Sequence, residues 1–267
     1  MSEQYYQIVR KGIALFCASC QTEMWDPVSK GHMDRWFTSI SSEAQLSSEA
    51  ARALHDDGFV VMPGPVPADD LEELAHLYDE AISRASPDDI KVGSATTRVR
   101  DFVNRDAEFD QLYVYPPILQ ACCRVIEQPF KLSTMHARTL RPRTPAQRLH
   151  VDFPGDAQGW PMAGFILMID DFTPENGATC FIRGSQGMEA APASSILAPA
   201  CGPSGSVIIF NGSVWHGHGP NHTDTPRRSI QGAYIRRSEA SAETLPARMR
   251  PETLARLGAL AKYLLAV

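Results

Sequence analysis

In the second half of the chain His150-Val151-Asp152 is followed by Trp215-His216-Gly217 and, eleven residues after His216, by Arg227. Two imidazoles and a carboxylate can occupy one face of an octahedral ferrous ion and leave three positions open, the ligand set of non-haem iron oxygenation. A buried arginine shortly after the second histidine offers a planar fork that grips a carboxylate in two places. The far carboxylate of a 2-oxo acid is such a group. The residue types therefore point to oxygen chemistry that uses Fe(II), 2-oxoglutarate and O2.

His-x-Asp occurs four times in this chain, so its meaning depends on where it falls. His55 and Asp57 close a helix, in which residues two apart do not share a face. His32 and Asp34 stand in irregular sequence, and His222 and Asp224 in a polar turn with no histidine after them. Only His150 and Asp152 fall in a strand pattern, over 148–153, where alternate side chains point the same way. Only they also have a later histidine in a strand region. For the third ligand, His216 and His218 share a face if the strand runs that far. His216 is favoured because it follows the apolar stretch 207–210 and Val214-Trp215. His218 stands as the alternative.

Those residues must be carried by a sheet. After Pro129, short apolar and aromatic runs recur at 131–140, 148–153, 164–169, 178–182, 206–210 and 229–235, separated by turn sequences such as Pro154-Gly155 and Pro174-Glu175-Asn176-Gly177. Six or more short strands at that spacing predict a jelly roll or barrel, a mainly β fold with flanking helices. Ahead of it, Ser47-Ser48-Glu49 opens a helix that Asp57-Gly58 closes, and a strand over 59–62 follows. Pro67 starts a helix with Asp69 and Asp70 in its first turn, where they suit the dipole. Residues 116–126 form another, and a C-terminal helix carries Leu254, Leu257, Leu260, Leu264 and Leu265. In the segment 1–43, residues 5–16 have a weak amphipathic pattern and 33–40 a second short one.

Composition excludes several functions. A chain of 267 residues can bury one elaborated β domain. A net charge of −6 gives no field for phosphate backbones, so nucleic acid is not an expected partner. Nothing approaches a membrane span or a signal segment, and a cytoplasmic location is expected. Six cysteines in a chain of this length do not form a disulfide framework. Cys17-Ala-Ser-Cys20 has zinc-ligand spacing but lacks the second pair a structural zinc needs, so packed thiols are expected. A reducing compartment would also keep iron ferrous.

Residues 46–82 resemble the N-terminal signature of the phytanoyl-CoA dioxygenase (PhyH-like) family, a helix ending in Asp-Gly that runs into a hydrophobic strand, a Pro/Gly turn and another helix. Leu149-His150-Val151-Asp152 resembles its metal strand. Asp170 to Gly177 with Ile182-Arg183-Gly184-Ser185 resemble its central turn and next strand. Trp215 to Asn221 with Pro226-Arg227-Arg228-Ser229 resemble its C-terminal signature. The four segments occur in order over 46–236. The resemblance implies a double-stranded β-helix (jelly-roll, cupin-like) core at about 131–237, within a domain spanning 44–267 and preceded by an extension, 1–43.

The family implies His150, Asp152 and His216 as iron ligands and Arg227 as the clamp on the C5 carboxylate of 2-oxoglutarate, with Ser229 completing an Arg-x-Ser pattern beside it. One branch, which contains fungal natural-product dioxygenases, has a Gln three residues before the first ligand and a Thr in an Asn-Gly-Ala-Thr turn. Gln147 and Thr179 stand at those places, and Thr97-Arg98-Val99 is similar to an upstream Arg segment of that branch. Gln147, Thr179 and Arg98 are thereby implied as further co-substrate contacts. Taken singly they are a turn amide, a β-surface threonine and a surface arginine. Two positions depart from the family. His218 stands where a small residue is usual, and Val151 where other members have a polar one.

The expected reaction is oxidation of a C–H bond, most simply hydroxylation, with 2-oxoglutarate converted to succinate and CO2. A carboxylate at position 152 argues against halogenation, which needs that position open. The substrate is expected to be a small, largely apolar molecule under a lid drawn from 1–43 and 85–112, where Trp25, Trp36, Phe37, Phe102, Phe109, Tyr113 and Tyr115 supply aromatic surface, unless these are core. Two other classes share the triad: a cupin-like metal-dependent isomerase or hydrolase, and a non-catalytic binding relative. Arg227 and the Asn-Gly-Ala-Thr turn weigh against the first, the intact triad against the second.

Overall fold

Residues 30–267 are described by the structure, a computed structural model. The expectations for residues 5–16, for Trp25 and for the Cys17/Cys20 pair lie outside the described residues. Helix α1 (Lys30–Ser42) precedes α2 (Ser48–Asp56), whose N-cap Ser47 accepts from the Ala50 amide. After α2 the chain enters β1 (Phe59–Pro63), then α3 (Leu71–Ser83). A 3-10 turn at Ala68–Asp70 intervenes, so Glu72 and Glu73, rather than Asp69 and Asp70, occupy the first α-helical turn. Next come β2 (Ile90–Val92), β3 (Thr96–Val99), the short α4 (Asp110–Tyr113) and α5 (Pro116–Ile126), with Pro116 at its start as helix N-termini favour.

The remaining strands are β4 (Phe130–Leu140), β5 (Met162–Met168), β6 (Thr179–Ile182), β7 (Leu197–Pro199), β8 (Ser206–Asn211), β9 (His216–His218) and β10 (Arg227–Arg236). They form a seven-stranded sheet in the order β1-β8-β5-β10-β4-β3-β2 and a three-stranded sheet in the order β7-β6-β9, with antiparallel pairings in both. Phe59, Ile166, Met168, Phe181, Ile208 and Phe210 fill the space between the two sheets. The opposite face of the large sheet, with Met135, Phe165, Leu167 and Ile230, packs on Tyr78, Ile118 and Leu264 from the helices. This is the jelly roll, with helices flanking one of its faces.

Two expectations change. Residues 148–153 are not a strand: His150 makes one bridge with His216, and the amides of Asp152 and Phe153 both turn onto the Gly212 carbonyl. The segment runs beside β9, so the face shared by residues 150 and 152 comes from a single bridge followed by a bend. The C-terminal helix is three short ones, α6 (Leu245–Arg248), α7 (Pro251–Arg256) and α8 (Ala259–Leu265), because Pro251 and Gly258 each restart the chain, and Leu254 is exposed. Strands β2, β3, β7 and β9 are three or four residues long, too short for an alternation to register in sequence. Helix α1 packs on α5 and α8, in the helical layer.

Candidate metal centre

His216 is held on both sides. Its strand pairs with β6 through Phe181, and its backbone exchanges two hydrogen bonds with His150, at 2.9 and 3.0 Å. Gly217 permits that approach, since a Cβ there would stand 3.2 Å from the Gln147 carbonyl oxygen. One ligand atom from each of His150, Asp152 and His216 lies within 4.8 Å of the others. Asp152 places one oxygen 3.5 Å from His150 Nε2 and the other 3.6 Å from His216 Nε2. Each imidazole directs Nδ1 at a backbone carbonyl two residues earlier, His150 to Arg148 at 3.1 Å and His216 to Val214 at 2.9 Å. That hydrogen bond keeps the proton on Nδ1 and leaves Nε2 as the donor to a metal.

The electrostatics agree with a cation site. Contact with Asp152 raises His150 above its ordinary value despite burial, whereas burial lowers His216. For Asp152 burial acts upward, but the hydrogen bond with His150 and the charge of His216 outweigh it, and the carboxyl falls below its usual range. The carboxylate is therefore ionised. Phe181 and Phe210 pack against the His216 ring, with centroids 5.5 and 5.0 Å away, while the His150 and Asp152 side chains are about a third exposed. The centre is packed behind and open in front.

His218 projects from the same face of β9 as His216, opposite Thr179 on β6. Its Nδ1 meets the Gly219 carbonyl at 2.8 Å. It is not in the converging group, and burial pushes it down to about 4, with the charges of Arg138 and Arg227 acting in the same direction. Among the other His-x-Asp pairs, His55 is on the surface and Asp57 pairs with Arg183, while Asp224 pairs with Arg143.

Arg227 begins β10 and is 1% exposed. Its Cζ lies 3.9 Å from the centroid of the Phe172 ring, and its Nε and Nη1 are buried with no hydrogen-bond partner among the described residues. Burial and then the charge of Arg138 push its pKa down, a measure of what an anion would relieve. Arg228 faces away and binds Asp170 and Asp79. Gln147 accepts from Arg138 Nη2 at 2.9 Å through Oε1, which leaves its amide group as a donor. Ser229 is buried on the Arg227 face of β10, but its hydroxyl donates to the Arg138 carbonyl at 3.1 Å, so that proton is used within the sheet. Arg98 on β3 stands directly opposite Arg138 on β4.

Arg138 and His136 escaped the sequence reading. They alternate with Met135 and Ala137, and polar residues on an alternating strand ordinarily face water. Here Met135 and Ala137 are covered by helices, so the polar face of β4 is the one that lines the barrel. The aromatic residues credited to the substrate side are mostly core: Phe102, Phe109 and Tyr113 are fully buried, and Trp36, Phe37 and Tyr115 pack against the helical cluster. A cleft of about 430 Å³ begins instead at Val151 and is lined by Pro154, Trp160 and Met188 with Asp156 and Glu189.

A jelly roll with a two-histidine, one-carboxylate site at its open end and a buried arginine on the facing sheet defines a dioxygenase of the non-haem kind. The chain belongs to the phytanoyl-CoA dioxygenase (PhyH) family, whose model matches residues 54–229. A dioxygenase of Aspergillus terreus, trt7, is 26% identical over 205 residues, covering 68% of this chain and 71% of its own. The multifunctional dioxygenase ausE of Penicillium brasilianum is 26% identical over 252 residues, covering 79% and 78%. Among solved structures, the non-haem α-ketoglutarate-dependent epimerase SnoN from nogalamycin biosynthesis superposes with a TM-score of 0.61 at 18% identity, covering 70% of this chain and 81% of SnoN. At that identity the likeness is one of fold. No helix among the described residues is long and apolar enough to cross a membrane.

Proposed function

We propose that the protein is an Fe(II)/2-oxoglutarate-dependent dioxygenase that hydroxylates a C–H bond of a small, largely apolar metabolite. The observation that carries this is the convergence of His150, Asp152 and His216 at the open end of a barrel that also buries Arg227, whose Nε and Nη1 have no hydrogen-bond partner among the described residues. SnoN, of the same fold, has been solved with Fe3+, α-ketoglutarate and a nogalamycin compound. The donor set fits ferrous iron, since two neutral imidazoles and one carboxylate leave three positions for co-substrate and O2. Bound Fe(II) with 2-oxoglutarate supplies activation of O2 coupled to decarboxylation of the 2-oxo acid to succinate and CO2.

The chain's own residues bind and orient. The Arg148 and Val214 carbonyls fix both imidazole tautomers, and Asp152 supplies the anionic ligand. Arg227 takes the C5 carboxylate of 2-oxoglutarate, its guanidinium steadied on Phe172. Gln147, through its free amide group, with Thr179, Arg98 and Ser229, completes the co-substrate pocket, and Ser229 donates to the carboxylate by turning its hydroxyl away from the Arg138 carbonyl. The cleft from Val151 to Met188 supports an apolar substrate body. The oxygenase domain is taken as 44–267 with 1–43 as an extension. The free thiols Cys122, Cys123, Cys180 and Cys201 accord with a reducing, cytoplasmic compartment.

The test is an anaerobic titration of the metal-free protein with Fe(II), with and without 2-oxoglutarate. The visible charge-transfer band of the chelate is expected only when both are present. Tight metal binding with no band at saturating 2-oxoglutarate would reject that co-substrate in favour of a cupin-like hydrolase or isomerase.

A further inference from the structure

On the inner face of β4, Arg138 and His136 are assigned neither to the metal nor to the co-substrate, although Arg138 steadies the Gln147 side chain. Arg98 and Arg138 are direct cross-strand partners, and like charges so placed on antiparallel strands repel. Arg138 Nη2 donates to Gln147 and Nη1 lies 3.4 Å from Gln231 Oε1, but the buried Nε has no partner among the described residues. Two residues earlier on the same face, His136 Nε2 is likewise buried and unpartnered. Unsatisfied buried donors of this kind call for a ligand.

Charge and position narrow what that ligand is. Arg138 hydrogen-bonds the side chain of Gln147, three residues before His150, and the Gln147 backbone amide donates to the His218 carbonyl, whereas Arg227 pairs with Leu140, two residues further along β4. Arg138 thus lies toward the metal and Arg227 toward the far end of the pocket. The carboxylates whose fields reach Arg138 and Arg227 are Asp152 and Asp170, and Asp170 is already held by Arg228. A ferrous ion and a 2-oxoglutarate dianion cancel each other, so holding both leaves Arg98, Arg138 and Arg227 facing the single charge of Asp152. The prime substrate is the remaining component that can bring an anion.

We infer that Arg138, with His136 beside it, binds a carboxylate of the prime substrate and so holds an otherwise apolar acid against the metal side of the pocket. A guanidinium fork matches a carboxylate in two places and orients it as a point charge cannot. The neutral imidazole of His136 adds one hydrogen bond. This deepens the proposed function and rests on it for the assignment of Arg227 and the triad to co-substrate and metal.

Benzoate serves as the probe, with benzamide as its neutral counterpart, and both are titrated by ligand-observed NMR into the full chain loaded with Zn(II), with and without saturating 2-oxoglutarate. Benzoate is expected to bind in the presence of 2-oxoglutarate, and benzamide at least tenfold more weakly. Arg138→Gln should weaken benzoate at least tenfold and leave 2-oxoglutarate within threefold of wild type, which also reports that the variant is folded. Arg138→Lys, which keeps the charge and loses the fork, should weaken benzoate several-fold and decides the matter if Arg138→Gln does not fold. Equal benzoate binding by wild type and variants, no benzoate binding by wild type, displacement of benzoate by 2-oxoglutarate, or a loss confined to 2-oxoglutarate in Arg138→Gln would each overturn the inference. If wild type fails to take up 2-oxoglutarate at all, the proposed co-substrate is wrong, while the benzoate comparison still reads Arg138.

Discussion

Replacing Arg227 by Met should move stability and co-substrate affinity in opposite directions. Arg227 is 1% exposed, stacked on Phe172, and its Nε and Nη1 have no hydrogen-bond partner among the described residues. Once 2-oxoglutarate is bound, its C5 carboxylate and Arg227 form a buried pair, and removing one member of such a pair costs about 3–5 kcal/mol. At about 1.4 kcal/mol per tenfold, the dissociation constant for 2-oxoglutarate should rise by roughly two to three and a half decades. Without 2-oxoglutarate the sign reverses. An apolar side chain of similar volume no longer buries an unpaired cation, so the variant should be more stable by about 1 kcal/mol or more, or roughly 2–4 °C per kcal/mol in Tm. Wild type should gain about 2.7 kcal/mol from 2-oxoglutarate at a hundred times its Kd, and the variant no more than about 0.4 kcal/mol at that concentration. Thermal unfolding with and without 2-oxoglutarate, beside the anaerobic titration, reads both effects. Arg228→Ala is the control: its partners are Asp170 and Asp79, so it should lower stability and spare 2-oxoglutarate. Undiminished 2-oxoglutarate affinity in Arg227→Met, or a Tm several degrees lower in its absence, would refute the reasoning.

His150→Ala, Asp152→Ala and His216→Ala should each lose metal on dialysis, as read by elemental analysis, while His218→Ala keeps it. Metal loss in His218→Ala with normal loading in His216→Ala would show that the third ligand was misassigned. His150 is raised above its ordinary 6.5 by Asp152. In the metal-free protein its proton therefore contributes stability that is fully present below that value and lost as pH rises through the raised one. A metal must displace that proton, so apparent Zn(II) affinity should fall as pH drops from about 8 to about 6, with proton release on binding seen by calorimetry in two buffers. An affinity flat across that range would contradict it. Gly164→Ala would set a Cβ 2.3 Å from the Phe210 ring, which packs on His216. Overpacking of this kind costs about 1–3 kcal/mol in a denaturant titration and should weaken metal binding as well; an unchanged midpoint would mean the ring has room to move.

The sequence by itself determined the strands of the large sheet, because most are long enough for their apolar runs and turn residues to register: β4, β5, β8 and β10 lie within one or two residues of expectation. It also pointed to His150, Asp152 and His216, the three whose ligand atoms converge, since ligand chemistry restricts residue type and only one His-x-Asp fell in a strand pattern. The tertiary structure decided how those three meet. The strand expected over 148–153 is one bridge and a bend, so the register that aligns His150 with His216 comes from β9 and Gly217. Tertiary structure alone also turned the polar side of β4 inward. A sequence records that Thr134, His136 and Arg138 alternate with apolar neighbours, but which face meets water depends on what covers the other. Here the helices cover the apolar face, and the cations are left inside the barrel. The same covering took Phe102, Phe109 and Tyr113 into the core and away from the site, because burial belongs to the packed layers and not to any residue.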